Sequence, residues 1–154
     1  REVSGLLSLF DPDVHRLAPH REDFLRRGVV PVIPGDQAAV IAFDKLETFR
    51  FLSRHGIRTP ETVATLEEVA EGLRDGRLVF PLIVKPRFGF GSTNTFVART
   101  ERELDFFFGY APDMIVQQFL AADAFNVDGL ADLEARSLSV VPWRKWLSTL
   151  GETE

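Results

Sequence analysis

FPLIVKPRFGFGSTNT, residues 80–95, is the stretch on which the reading of the fold turns. Its apolar run, Leu82-Ile83-Val84, lies between Pro81 and Pro86 and suits a buried strand of a few residues. Lys85 closes that strand, where burying an ammonium is costly without an anionic partner. Gly89, Gly91, Ser92 and Thr93 follow at once, a flexible loop with many backbone N–H groups and two hydroxyls. Successive amides in such a loop form an anion-binding concavity, and a neighbouring lysine adds a point charge. The order strand, lysine, glycine loop therefore suits phosphate. It is neither a P-loop, since no Gly-Lys-Ser or Gly-Lys-Thr follows, nor G-x-G-x-x-G. A plain hairpin connection with Lys85 snorkelling to water accounts for the same residues equally well.

Upstream, residues 6–10 read as a short buried strand, and Asp11-Pro12 as the cap and first position of a helix. Pro19 interrupts that helix. A second, at residues 20–27, ends at Gly28. Residues 29–33 form the next strand, and the alternation predicts a parallel α/β layer with a boundary between Gly35 and Asp36. Residues 36–43 make a compact apolar helix. Asp44 caps another, with Glu47 at capping-box spacing, and Leu46, Phe49 and Leu52 share its apolar face. Lys45 lies in the first turn, where a cation opposes the helix dipole unless an anion is near; a solvated lysine is the plainer reading. Thr59-Pro60 leads to a helix at residues 66–73, opened by Thr65 and Glu68.

Downstream, residues 95–99 return as the second strand of a hairpin. Thr100 and Glu103 open a helix whose Leu104, Phe107 and Phe108 mark a core face, and residues 115–119 form a strand carrying Gln117 and Gln118. Residues 80–119 thus make a small α+β unit. Residues 125–128 and 137–141 alternate as antiparallel neighbours across a turn at 132–135, starting a second sheet within residues 120–154.

The 154 residues, 45% apolar and 27% charged, give one domain's worth of chain with material for a core. A net charge of −5 argues against non-specific nucleic-acid binding, and no apolar run is long enough to span a membrane. Residues 1–20 lack the apolar core of a signal peptide. The absence of cysteine excludes disulfides, thiolate metal sites and cysteine nucleophiles, and fits a cytoplasmic protein. Both ends read as cut from a longer chain. His15, His20 and His55 have no partner at metal-ligand spacing and are expected at the surface. Asp132 and Glu134 are expected to shape the hairpin turn, with Asp128 facing solvent. Trp143, Arg144, Lys145 and Trp146 suit a strand with one wet face better than a nucleic-acid stack.

Together these pieces resemble the ATP-grasp superfamily, and within it the carbamoyl-phosphate-synthase-like carboxylate–amine ligases. The residues that carry the likeness are Asp44-Lys45, Phe51-Leu52, Gly56-Ile57-x-Thr59-Pro60, FPLIVKP, GFGSTN, IVQQFL at 115–120, FNVDGLAD at 125–132 and Gly151-Glu152. Residues 1–35 resemble the end of a pre-ATP-grasp domain, and residues 36–154 the N-terminal portion of the ATP-grasp domain. The resemblance implies an α/β fold of ATP-grasp type holding ATP and Mg²⁺ between two sheet-bearing subdomains. It places Lys45 and Lys85 on the phosphates, and Gly89, Gly91 and Ser92 in a mobile loop over them. Gln117, Gln118, Phe119 and Leu120 become the hinge beside adenine, reading its edge with backbone groups and side-chain amides. The implied chemistry is phosphorylation of a small carboxylate by ATP to an acyl phosphate, which an amine then attacks. Lys145 and Glu152 fall where substrate would approach. The sequence departs from the family at Ala124, where a ribose-binding glutamate is usual and Asp123 is the nearest substitute, and at Gln118, which replaces a hinge carboxylate. The Mg²⁺ ligands are expected beyond residue 154, with no metal site or catalytic residue assigned in this chain, which alone is expected to be inactive. The resemblance leaves room for a homodimer. It also leaves a second reading, a degenerate module with a regulatory or assembly role.

Overall fold

The computed structural model describes residues 3–132 and 134–144, and the chain divides after Phe119 into two compact units. The first opens with β1 (Gly5–Leu7), α1 (Asp11–Leu17), a 3-10 turn (Ala18–His20), α2 (Arg21–Arg26) and β2 (Val30–Val32). β1 and β2 pair in parallel, Leu6 opposite Pro31, as the strand–helix–strand order requires. The strand expected at residues 6–10 lies instead at 5–7 and is not buried; Leu9 beyond it is 92% exposed. A two-stranded pair of three residues each has too little sheet to cover its own faces. Phe10, not Asp11, is the N-cap of α1, and Asp11 is its first residue, so Pro12 stands second.

Two helices follow, α3 (Asp36–Phe43) and α4 (Lys45–Arg54), separated only by Asp44. The Asp44 carboxylate accepts the N–H groups of Leu46 and Glu47 at 3.0 and 3.2 Å. The capping box expected with Glu47 does not close. Asp44 N–H already bonds the Val40 carbonyl at the end of α3, and Glu47 pairs with Arg50 at 2.7 Å.

A four-stranded antiparallel sheet in the order β3 (Thr62–Val63), β6 (Met114–Gln118), β4 (Leu82–Pro86), β5 (Phe96–Ala98) forms the heart of this unit. Two helices cover one face, α5 (Leu66–Asp75) and α6 (Glu101–Phe108). Thr65 and Glu68 cap α5 reciprocally, and Thr100 accepts the Glu103 N–H at the start of α6. The period of two sends Val63, Leu82, Val84, Met114 and Val116 into the helical core with Val69, Leu78 and Leu104. Burying each of the largest of these stabilises the fold by roughly 1.5–3 kcal/mol. The unit expected at residues 80–119 therefore starts earlier, since β3 and α5 are part of its sheet and core. Ile83, Lys85, Ile115, Gln117 and Thr62 occupy the opposite face.

Gly72 touches this core: a Cβ there would lie 2.8 Å from Leu78 Cδ1 and 2.9 Å from its Cγ. Gly72→Ala gains about 1 kcal/mol of helix propensity but overpacks a site where such changes cost roughly 1–3 kcal/mol. Leu78 is fully buried and has little room to swing away. A net loss of about 1 kcal/mol is expected in urea unfolding; a stabilised variant would show that the core yields.

The second unit is the hairpin of β7 (Phe125–Ala131) and β8 (Ser137–Arg144), with Asp128 opposite Val141 and a register shift between Leu130 and Ala131. Asp132 shapes the turn as expected, accepting the N–H groups of Glu134 and Arg136 and the Arg136 guanidinium. Asp128 is exposed as expected, and its carboxylate accepts the Trp143 indole N–H at 2.8 Å. One expectation needs correction: β8 does not have one wet face, since all its residues are exposed. Lys145, Trp146 and Glu152 lie outside the described residues.

Candidate functional site

Because Leu82 and Val84 take the core side of β4, Lys85 projects from the face opposite the helices. It stands across from Ile115, and Gln117 follows two residues along the same face of β6. That diagonal lets Lys85 Nζ donate to Gln117 Oε1 at 2.7 Å. Gln117 Nε2 donates in turn to Thr62 Oγ1 at 2.8 Å, and the Thr62 hydroxyl donates to the Pro60 carbonyl at 3.0 Å. The chain of partners is neutral throughout. It fixes the ammonium without compensating its charge, and burial, reinforced by repulsion from Lys45, pushes the Lys85 pKa down to about 8.

Lys45 is the first residue of α4, and its Nζ donates to the carbonyls of Gly89 and Arg87 at 2.9 and 3.4 Å. Its backbone N–H bonds the same Arg87 carbonyl at 3.1 Å. Burial lowers its pKa, with the charge of Asp44 opposing. Neither lysine has a carboxylate partner among the described residues. The two ammonium groups are near enough for the charge of Lys45 to lower the Lys85 pKa.

What holds Lys45 against the start of the glycine loop was not legible in the sequence. Asp44, 6% exposed, takes two bonds from Arg87 Nε at 2.8 and 2.9 Å and one from its Nη2 at 2.5 Å. Burial resists its ionisation, but Arg87 and the two capping N–H groups together hold its pKa below the usual carboxylate value. Arg87 N–H is tied to the Asp113 carbonyl at 2.8 Å. One carboxylate therefore caps α4 and clamps the start of the glycine loop to it.

The loop itself runs through left-handed backbone at Gly89 (φ +116°), Gly91 (+65°), Ser92 (+53°) and Asn94 (+55°). The value at Gly89 admits glycine and little else. The N–H groups of residues 89–94 bond no acceptor among the described residues. With Lys45 they border a cavity of about 430 Å³ that also takes in Ser92, Thr93 and Asn94. Phe90 meets Phe10 edge-on at 5.5 Å, and Phe88 lies 6.0 Å from Phe43. The only trace of these anchors in the sequence is the alternation Phe-Gly-Phe-Gly at residues 88–91.

The expected hinge is only partly available. Gln118 Oε1 accepts the Val79 N–H at 2.8 Å, and its Nε2 donates to the carbonyls of Val79 and Phe119 at 3.0 Å each. With Gln117 committed to Lys85 and Thr62, neither side-chain amide is free to read a base edge. In the second unit Leu120 is exposed, and Asp123 accepts Arg144 Nη2 at 2.8 Å. Nor is His15 the surface residue expected: it is half-buried, stacked 4.3 Å from Phe43, with Nδ1 sealed and without a partner.

Lys85 gives the stability a definite pH dependence. Its folded pKa of about 8 is below the unfolded 10.5, so between these values the unfolded chain holds a proton that the folded chain has lost. Stability contributed through this group therefore rises with pH across that window. The melting temperature of the native protein should rise relative to that of Lys85→Met from pH 8 to pH 10.5. Parallel curves would remove the buried, uncompensated ammonium from the account.

No curated protein matches the chain by sequence. Among solved structures, L-amino acid ligase from Bacillus licheniformis superposes with a TM-score of 0.71 at 22% identity, over 98% of this chain and 34% of that one. D-alanine–D-alanine ligase from Helicobacter pylori gives 0.62 at 23% identity, over 86% of this chain and 40% of that one. The biotin carboxylase domain dimer of the Hydrogenobacter thermophilus 2-oxoglutarate carboxylase, with MgADP and bicarbonate, gives 0.67 at 16% identity, covering 90% and 33%. The chain thus spans about a third to two fifths of the length of these structures, and the likeness is one of fold. The family model of the ATP-grasp domain matches residues 42–146, which contain both lysines, the glycine loop and the sheet that carries them. The chain belongs to the ATP-grasp family.

Proposed function

We propose that this chain is the ATP-binding portion of an ATP-dependent carboxylate–amine ligase that works through an acyl phosphate. The observation that carries the reading is Lys45 against a loop of unbonded amides, with a second partly buried lysine, Lys85, near enough to feel its charge, and neither paired with a carboxylate among the described residues. Such a site is electrostatically incomplete without an anion, and a triphosphate offers several oxygens at the right spacing for amides and ammonium groups together. Lys45 and Lys85 hold the phosphates, and the amides of Gly89, Gly91 and Ser92 close on them. The backbone of residues 117–120 borders adenine, since the Gln117 and Gln118 amides are engaged elsewhere. Residues 1–35 end a preceding α/β domain, and residues 36–154 begin the ATP-grasp domain. No group of three His, Cys, Asp or Glu among the described residues could hold a metal, and the ligands for Mg²⁺ belong, on this reading, beyond residue 154.

In the reaction a carboxylate oxygen attacks the γ-phosphorus, the bond to ADP breaks, and an amine then displaces phosphate from the acyl carbon. The lysines and loop amides neutralise and align the phosphoryl group in flight. Names of the structural relatives, two of them ligases of amino acids, accord with this chemistry. A second reading, a degenerate module of regulatory or assembly role, is favoured by Ala124 at the ribose position and by the engagement of Gln118 and Asp123. Titration with MgATP by calorimetry separates the two. Saturable binding that disappears in the Lys45→Met, Lys85→Met double variant supports the ligase; no binding to the complete protein favours the module.

A further inference from the structure

The root of the glycine loop is held several times over. Arg87 is clamped to Asp44, Lys45 Nζ bonds the Gly89 carbonyl, and Phe88 lies 6.0 Å from Phe43 with the Arg87 guanidinium 5.2 Å over its ring. The tip has one fastening. Among the described residues, 90–94 make no hydrogen bond or ring contact outside the loop except at Phe90, whose ring meets Phe10 edge-on at 5.5 Å. The tip also needs holding. Ser92 and Asn94 carry left-handed backbone, φ +53° and +55°, which side chains disfavour, and Gly89 and Gly91 leave other paths open to the chain. Phe10, by contrast, is fixed. As the N-cap of α1 it donates its N–H to Ser8 Oγ at 3.2 Å, and its carbonyl accepts the N–H groups of Asp13 and Val14 at 3.0 and 3.3 Å. α1 in turn stacks His15 on Phe43, the last residue of α3, which Asp44 alone separates from Lys45. The ring that meets Phe90 and the ammonium that holds Gly89 therefore belong to one helical scaffold.

We propose that Phe10 is a positioning residue for this loop: its ring docks Phe90 and keeps the amides of residues 89–92 beside Lys45 before any anion arrives. The upstream segment thereby sets the affinity of a cavity that none of its residues lines. The contact stands on its own geometry; that the anion is the triphosphate of ATP rests on the proposal above. Both rings are half exposed, so the contact is modest. An aromatic pair shifts a two-state equilibrium by a factor of about 2 to 13. That is enough to bias the tip and little enough to release it. Apparent affinity scales with the fraction of molecules whose loop is already in place, so losing the contact weakens phosphate binding by up to the same factor.

The test is a double-mutant cycle of Phe10→Ala and Phe90→Ala, read by calorimetry with MgATP and by amide nitrogen relaxation of the free protein. Each single variant should bind MgATP about three- to tenfold more weakly, and the double variant no more weakly than either, since both changes remove one contact. The order parameter of the Gly91 amide should fall from about 0.85 in the native protein to below about 0.6 in Phe10→Ala. Phe10→Tyr keeps the ring and should restore both readings. Phe106→Ala removes a ring contact of the same kind on α6, 5.6 Å from Phe107, and should leave both at native values. Equal MgATP affinity in native and Phe10→Ala protein overturns the proposal, as does a double variant in which the two losses multiply, or an unchanged Gly91 order parameter. If MgATP binds none of the proteins while the order parameter falls as stated, the ligase proposal fails alone. If MgATP binds native and Phe10→Ala protein alike, this one fails alone.

Discussion

Lys85→Met is expected to lower the affinity for MgATP by about 100-fold while leaving the protein about as stable as the native form. A hydrogen bond to a charged group contributes roughly 1.5–3 kcal/mol, or about 10- to 150-fold in affinity, and Lys85 has no carboxylate among the described residues to share its charge with. Methionine keeps the apolar stem packed on the sheet and removes an ammonium that the fold itself does not compensate. Against that gain, Gln117 Oε1 loses its donor, a loss of about 1 kcal/mol. Calorimetry and a thermal melt on the same sample read both quantities. A loss of only a few-fold in affinity would take Lys85 out of the phosphate site. At pH near 8.5, binding should also take up a fraction of a proton, because a bound anion favours the charged form of Lys85.

Asp44→Ala has the opposite signature: a large loss of stability, with binding affected only through it. Removing one partner of a buried ion pair costs about 3–5 kcal/mol, and the lost helix cap adds about 1 kcal/mol. Arg87 keeps some solvent contact, its side chain being 29% exposed, which places the pair near the lower end of that range. A loss of about 4 kcal/mol in total should lower the melting temperature by about 10 °C. Asp44→Asn retains a capping acceptor and should fall between. Arg87→Met should destabilise by about 3 kcal/mol but, corrected for folding, weaken MgATP far less than Lys85→Met. The sign with pH follows from a depressed carboxylate: the stabilisation is complete above 3.8 and is lost as pH falls through the lower folded value. Native protein should therefore lose its stability advantage over Asp44→Asn in acid. An advantage that persists to the lowest pH would contradict the ion pair.

How much of this could be read from the letters depends on how local each cause is. The Thr65–Glu68 box, the 82–86 strand with its Lys85, the hairpin across Asp132 and the core face of Leu104, Phe107 and Phe108 all follow from short-range pattern, and the structure has them. Residues 6–10 misled because apolar letters predict burial only where something covers them. Glu47 stood at capping-box spacing, but α3 runs directly into Asp44 and uses its N–H. β3 is two residues long and shows no period, so its place in the sheet came only with the long-range pairing of Thr62 to Gln117. The same holds for the site. Its charges were visible in Lys45 and Lys85, whereas the Asp44–Arg87 clamp spans forty-three positions, and the engagement of Gln118 with Val79 spans thirty-nine. Such partners are chosen by tertiary structure.

The most direct measurement is a crystal structure of the protein with Mg²⁺ and a non-hydrolysable ATP analogue. The account predicts both Lys45 Nζ and Lys85 Nζ at charge-assisted hydrogen-bond distance, ~2.7–2.9 Å, from phosphate oxygens of one nucleotide, with amides of residues 89–92 on the same phosphates. Phosphates seated elsewhere, with Lys85 still bonded only to Gln117, would contradict it.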